Sequence, residues 1–410
     1  MNRLAAATAL AAAAVLAGCG GGDEPGGGLP AELFGVNAQV LQRLPTVNRS
    51  DEMELQLDSI AELGLAFVRT NLDWRIIQPT APDGGADDFD WRTTDVWVRA
   101  LAERGLRWQP TVMGTPTPTW ATDPGALAAG CGDRSPPGRP RDYAGLVGEV
   151  ARRYGREGRF WAENPDLPYE PITEYELWNE PNFFVFWCPR PQPEEWAALA
   201  LAGGRAVHAA DPEARVLFAG LGGFRRSVGT PPHSLAADEF LDRALAAQPA
   251  LVEQIDVVAV HPYGFDPGGV ARTLAWFRRI VDATPLRGRP LSVNEFGWPT
   301  RKQGDRPVAA EDLRAGFVGV LTPAIASSGC GVEALALHTW NSPEINEVDA
   351  EHWFGVADPV TADPYPTALA YAAQAARLTG REPPEGSEEA LPEEGDATIE
   401  QLVDLCDPPS

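Results

Sequence analysis

The feature of this sequence that most restricts its fold is an alternation of eight short strand-like runs with helix-like runs. The strand candidates are Leu33 to Asn37, Ala66 to Thr70, Leu106 to Val112, Glu174 to Asn179, Arg215 to Gly220, Asp256 to His261, Leu291 to Glu295 and Glu333 to Trp340. They are rich in Val, Leu, Phe or Trp, as strands buried on both faces tend to be. The segments between them carry helix signals. Ser50 is placed to cap a helix whose Met53, Leu57, Ile60 and Leu63 share a face and which Gly64 ends; Pro193-Glu194-Glu195 opens another that runs to Ala210. Right-handed crossovers between parallel strands place every helix outside, so the alternation predicts a closed (β/α)8 barrel, a TIM barrel, over residues 31–380. Residues beyond a minimal barrel fall in loops, notably 114–140 after strand three and 183–193 after strand four.

A barrel of this kind presents its reactive groups at the C-terminal ends of its strands. Two strings put a glutamate there: Trp178-Asn179-Glu180-Pro181-Asn182 at strand four and Ser292-Val293-Asn294-Glu295-Phe296-Gly297-Trp298-Pro299 at strand seven. Two carboxylates so placed suit cleavage of a glycosidic bond, one donating a proton to the leaving oxygen while the other attacks the anomeric carbon. The two acids have similar intrinsic pKa and opposite tasks, so their surroundings must separate them. Tryptophan and phenylalanine are dense on the same rim, at Trp74, Trp120, Phe183, Phe184, Phe186, Trp187, Trp298 and Trp353, and such rings suit the apolar face of a sugar.

With an Asn-Glu pair at strand four and a second Glu at strand seven, the chain resembles the clan A retaining glycoside hydrolases, and the Asn-Glu-Pro-Asn and Glu-Phe-Gly-Trp strings together are similar to their β-xylosidase-like branch. The resemblance implies Glu180 as general acid/base and Glu295 as nucleophile. It further implies Asn179 on the sugar 2-hydroxyl, Arg69 and Tyr263 as partners that hold the nucleophile ionised, and Trp340 as an aromatic platform under the reacting sugar. His261, in His261-Pro262-Tyr263-Gly264, and Trp298 join them as substrate-binding candidates. Trp353-Phe354-Gly355-Val356 followed by Tyr365-Pro366 resembles the last loop of several clan A families. Strand three ends in Gln109-Pro110-Thr111 without the histidine some of these families carry, which leaves the sugar open. A carbohydrate-binding surface lipoprotein that has lost turnover is the alternative reading; it would show damage at Glu180, Glu295 or Arg69, and all three residues are present.

The N-terminus adds a location. Arg3 precedes an apolar run from Leu4 to Leu16 that is too short to span a bilayer and closes in small residues, as a secretory signal does. Leu16-Ala17-Gly18-Cys19 resembles the lipobox of bacterial lipoproteins, which implies lipidation of Cys19 and a membrane-anchored, extracytoplasmic protein. Residues 1–18 would be the signal and 19–30 a glycine-rich tether. Four other cysteines, Cys131, Cys188, Cys330 and Cys406, suit disulfides in an exported chain and allow three pairings. Cys131 and Cys188 fall in loops on one rim, whereas Cys330 lies at the opposite rim, where a bond to Cys406 would pin the acidic tail at 381–410. No Cys-x-x-Cys pair occurs and the five histidines lie far apart in the chain, so the sequence implies no metal and no cofactor. A net charge of −25, from 58 acidic and 33 basic residues, has the wrong sign for nucleic acid.

Overall fold

The computed structural model describes residues 29–83, 88–113, 117–226, 230, 232–301, 308–392 and 406. Eight parallel strands close into one barrel in sequence order. They are β1 (Phe34–Asn37), β2 (Phe67–Asp73), β3 (Arg107–Met113), β4 (Glu174–Asn179), β5 (Arg215–Gly222), β6 (Val257–His261), β7 (Leu291–Phe296) and β8 (Val332–Leu337). The ring closes where Gly35 of β1 pairs with Ala336 of β8. Each strand leads to a covering helix: α1 (Ser50–Glu62), α2 (Arg92–Ala102), α3 (Pro140–Tyr154), α4 (Pro193–Ala210), α5 (Ala237–Ala247), α6 (Pro267–Asp282), α7 (Glu311–Ala326) and α8 (Pro366–Leu378). This is the (β/α)8 barrel that the alternation predicts. None of the described helices is long and apolar enough to cross a membrane. The proposed signal and tether, with Cys19, lie outside the described residues.

Two differences from the sequence reading have simple causes. Arg49, not Ser50, occupies the cap position of α1, and its guanidinium pairs with Glu52 in the first turn. Strand β8 stops at Leu337, three residues before Trp340, because the chain there bends over the barrel mouth. The amide of His338 donates to the carbonyl of Phe296 and that of Trp340 to the carbonyl of Asn37.

The apolar core divides into an outer and an inner part. Most of it lies between strands and helices, where outward-facing residues such as Val68, Leu177, Phe218 and Val293 meet the helices' buried stripes. Inside the barrel, Phe67 packs with Ala334 and Ala336, and Leu217 with Val257 and Ala259. One aromatic ring with small and branched residues around it fills the closed end. One step further along the same faces stand Asn37, Arg69, Thr111, Glu176 and His261, all buried. The barrel axis thus changes from apolar to charged toward the strand C-termini.

Both disulfides form, Cys131–Cys188 between the loops after β3 and β4 and Cys330–Cys406 before β8. The first portion of the acidic tail is not simply solvated. Arg381 donates to the carbonyl of Gly64, a short turn at Ser387–Ala390 pairs Glu388 with Arg377 of α8, and Pro392 lies against Gly319 of α7. Residues 393–405 and 407–410 lie outside the described residues.

The closed end leaves no spare volume at Gly35. A Cβ there would stand 2.6 Å from three carbons of the Phe67 ring, which is itself fully enclosed. Gly35→Ala is expected to destabilise the fold by about 1–3 kcal/mol in urea unfolding, the usual cost of overpacking; an unchanged midpoint would show that the ring has room to move.

Candidate active site

Strand β2 delivers Arg69 to the barrel axis, where each of its guanidinium donors finds an acceptor. Nε and Nη2 hold Glu176 through both carboxylate oxygens at 2.6 and 2.9 Å. Nη1 reaches Asn37 and Glu295, and Nη2 also reaches Asn179, each at 2.7 Å. Glu176 receives two further bonds, from the Thr111 hydroxyl at 2.7 Å and the Gly220 amide at 2.9 Å. Burying such a pair costs several kcal/mol per ion, so it persists only where good geometry and extra hydrogen bonds offset the lost hydration. Burial alone would weaken the charge on Arg69, but Glu176 and Glu295 override it and hold the guanidinium protonated.

The ends of β4 and β7 depart from regular strand geometry, and the departures aim the catalytic candidates. Strict alternation would put Glu176 and Trp178 on the same face. Instead Trp178 has φ 86°, its ring packs outward on Tyr143 and Trp187, and its indole donates to the Phe186 carbonyl. Asn179 then faces Arg69 inside the barrel, and Glu180, with φ 37°, turns into the mouth. Such left-handed conformations cost non-glycine residues on the order of 1–3 kcal/mol each and persist where packing fixes them. In β7 the register shifts between Val293 and Phe296, so Glu295 faces the mouth while Phe296 packs on Tyr371 of α8.

Glu180 and Glu295 meet across the opening with His261 between them. One oxygen of each carboxylate and one nitrogen of His261 all lie within 4.8 Å of one another. His261 Nδ1 is 2.8 Å from Glu180 and 3.4 Å from Glu295. His261 stands 81 residues from Glu180 in the chain, so residue spacing had no means of showing this trio, in which His261 Nδ1 is hydrogen-bonded to Glu180. Room for the imidazole comes from Gly220, where a Cβ would stand 2.2 Å from His261 Nε2.

The environments of the two carboxylates differ as their tasks require. Glu295 accepts from Arg69 and from the Tyr263 hydroxyl at 3.0 Å. Burial by itself would raise its pKa, but the charges of His261, His338 and Arg69, with the Arg69 hydrogen bond, outweigh that and bring it down to about 2. Burial and the neighbouring carboxylates push the Tyr263 hydroxyl well up, so it remains a donor. His261 is lowered by burial but raised more by Glu295 and Glu180, and its net shift is upward from 6.5. Glu180 therefore has a closer compensating partner, His261, than the sequence suggested.

The two tryptophans expected to touch substrate do not. Trp340 is 0% exposed and donates its indole to Gln56 of α1 at 2.6 Å; Trp298, also 0% exposed, donates to the Gly264 carbonyl and packs on Phe317 of α7. Both anchor rim loops to helices, because the bend after β8 and the turn after β7 carry their rings outward. Trp74 and Trp187 are likewise buried, whereas Trp120, Phe183, Phe184, Phe186 and Trp353 keep partly exposed surface. His338 stands in the position beside the nucleophile instead, 3.8 Å from Glu295, with its ring against Tyr263 and Phe354. Asn37, Thr111, Glu176 and His338 were not singled out from sequence. Glu176 left a signal, a carboxylate in mid-strand between Tyr175 and Leu177, which when buried demands a cation.

Two measurements test this arrangement. Arg69→Met strands Glu176 without its bidentate partner and is expected to cost about 3–5 kcal/mol in denaturant unfolding; a loss under about 1 kcal/mol would contradict the cluster. The depressed pKa of Glu295 makes its ionised form stabilising, an effect present above the unfolded value near 4.3 and lost as pH falls toward 2. The stability advantage of wild type over Glu295→Gln should therefore grow as pH rises from about 2 to about 5 and then level off; a difference independent of pH over that range would show that Glu295 is not held ionised.

No protein-family model matches the sequence, and neither does any curated protein. Solved structures do match in fold. A glucosidase from Croceicoccus marinus superimposes with a TM-score of 0.60 at 18% identity, over 87% of this chain and 69% of that one. A monomeric beta-xylosidase from Caulobacter crescentus CB15 gives 0.56 at 18% identity, over 85% and 69%, and a family 1 b-glucosidase from Thermotoga maritima gives 0.57 at 12% identity, over 87% and 100%. The chain shares with these glycosidases the eight-stranded (β/α)8 barrel.

Proposed function

We propose that this protein hydrolyses β-linked glycosides with retention of anomeric configuration. The observation that carries the proposal is the pair Glu180 and Glu295, facing across one mouth with oxygens within 4.8 Å, only Glu295 being tied to a guanidinium and a phenol. That spacing suits direct attack by the nucleophile, for which carboxyl groups stand about 5–5.5 Å apart, better than the roughly 6.5–9.5 Å that an intervening water requires. The barrel shared with a glucosidase, a beta-xylosidase and a b-glucosidase supports the same class of substrate.

In the first step an oxygen of Glu295 attacks the anomeric carbon. The bond to the leaving oxygen breaks with its electron pair, and Glu180 gives that oxygen a proton. In the second step Glu180 takes a proton from water, the hydroxyl forms a bond to the anomeric carbon, and the ester bond to Glu295 breaks, restoring the carboxylate. The negative charge on Glu295 disappears during the intermediate, which removes the repulsion against a charge on Glu180 and so readies Glu180 as a base. Arg69 fixes the Asn179 amide oxygen, which leaves the amide NH2 to donate to the sugar 2-hydroxyl, a contact that strengthens in the transition state. The two carboxylates and water complete the chemistry.

The protein is further proposed to be exported and lipid-anchored through Cys19. The Leu-Ala-Gly-Cys string supports this, and two disulfides suit an oxidising compartment.

On aryl β-glycosides, Glu295→Ala should abolish hydrolysis, with azide restoring turnover as the inverted glycosyl azide. Glu180→Ala should slow substrates with poor leaving groups by about 10²–10⁴-fold while sparing the first step for good ones. Wild-type rates in both variants would refute the assignment. In a bacterial host, Cys19→Ser should release the protein from membranes and end its labelling by radioactive palmitate; retained labelling would refute the anchor.

A further inference from the structure

We infer that the leaving-group side of this site is built for an apolar, aromatic aglycone and not for a second sugar. The inference rests on the glycosidase reading and adds to it a substrate class. A general acid must lie within hydrogen-bond reach of the oxygen it protonates, so the departing group occupies the space beside Glu180, away from Glu295. That space is bordered by phenylalanine. Phe183 follows Glu180 by three residues and donates its amide to the Glu180 carbonyl, and its ring meets Phe184 at 5.2 Å and Phe224, from the loop after β5, at 5.2 Å. Phe224 and the acid flank Gly222: the point where a Cβ would stand there is 3.0 Å from the Phe224 ring and 3.1 Å from Glu180 Oε1. All three rings keep partly exposed surface.

Two polar side chains beside this shelf are engaged in holding it. Asn182 bonds the backbone of Gly222 through both ends of its amide and also the Leu235 carbonyl, and the Ser234 hydroxyl accepts from the Phe184 amide. A sugar in the same place would lose water from several hydroxyls and meet phenylalanine rings that offer them no hydrogen-bond partner, a cost of about 1–3 kcal/mol for each unpaired group. An aryl ring loses little hydration and gains edge-to-face contacts. Beyond Phe184 the surface opens further. His233, packed on the Phe184 ring, lines a cavity of about 410 Å³ together with Arg190, Gln192, Leu235 and Arg243. That volume is within the range of small-molecule sites, and it gives room for substituents carried by the ring.

Microscopic reversibility supplies a test free of leaving-group reactivity, because the space the aglycone vacates is the space from which an acceptor attacks the glycosyl-enzyme. The full chain is loaded from an activated aryl glycoside, and its partitioning between hydrolysis and transfer is measured for 2-phenylethanol, ethanol and a monosaccharide at equal concentration. We expect transfer to 2-phenylethanol to exceed transfer to ethanol or to the sugar by about tenfold or more. Phe224→Ala and Phe184→Ala should each cut that preference several-fold, with Phe224→Leu intermediate, whereas Phe265→Ala, a 71% exposed ring on the loop after β6, should leave it unchanged. Preference for the sugar, or a preference for 2-phenylethanol that is undiminished in folded Phe224→Leu and Phe184→Ala, would overturn the inference while leaving the glycosidase reading intact. Failure of the wild type to cleave any glycoside would overturn both.

Discussion

The site depends on one buried guanidinium. Arg69 connects its own strand β2 to Asn37 of β1, Glu176 and Asn179 of β4 and Glu295 of β7, and Glu176 extends the network to Thr111 of β3 and Gly220 of β5. Six of the eight strands thus meet in one set of charge-assisted hydrogen bonds at the barrel axis. Deep in the protein such bonds are strong and an unmatched member is costly, so the network tolerates little drift in the strand ends it joins. The same cation that organises the mouth also sets the ionisation of Glu295. Structure and chemistry are linked through a single residue.

The second device is strain held in place by packing. Trp178 and Glu180 carry positive φ values within three residues, at the point where the barrel turns into its rim. The indole of Trp178, enclosed by Tyr143 and Trp187 and bonded to the Phe186 carbonyl, is what holds this conformation. The loop after β4 is in turn tied to the loop after β3 by Cys131–Cys188. Rigid surroundings on the outer face therefore position the acid on the inner face, and the phenylalanines that follow it are carried by the same loop.

Much of this was legible in the residues. The fold was, because eight apolar runs separated by amphipathic segments admit few closed arrangements. Glu180 and Glu295 were legible because a carboxylate at the C-terminal end of a barrel strand stands where such a barrel presents its reactive groups. The cysteine pairs followed once the rims were assigned. Trp340 and Trp298 were misread for a physical reason: a tryptophan at a strand end looks the same whether its ring turns into the mouth or out to a helix, and a one-residue change of bend decides which. Asn37, Thr111 and His338 carried no local mark at all, since a polar residue ending a strand acquires meaning only from what lies across the barrel.

What the sequence by itself determined was periodicity and chemistry: which runs become strands, which become helices, and which carboxylates end a strand, all properties of neighbours along the chain. What only the tertiary structure decided was convergence. Residues as distant in sequence as Asn37, Arg69, Glu176, His261 and Glu295 share a few ångströms because closing the sheet brings the ends of its strands to one axis. Hydrogen bonds and Coulomb forces act over those distances, and separation along the chain does not reveal them.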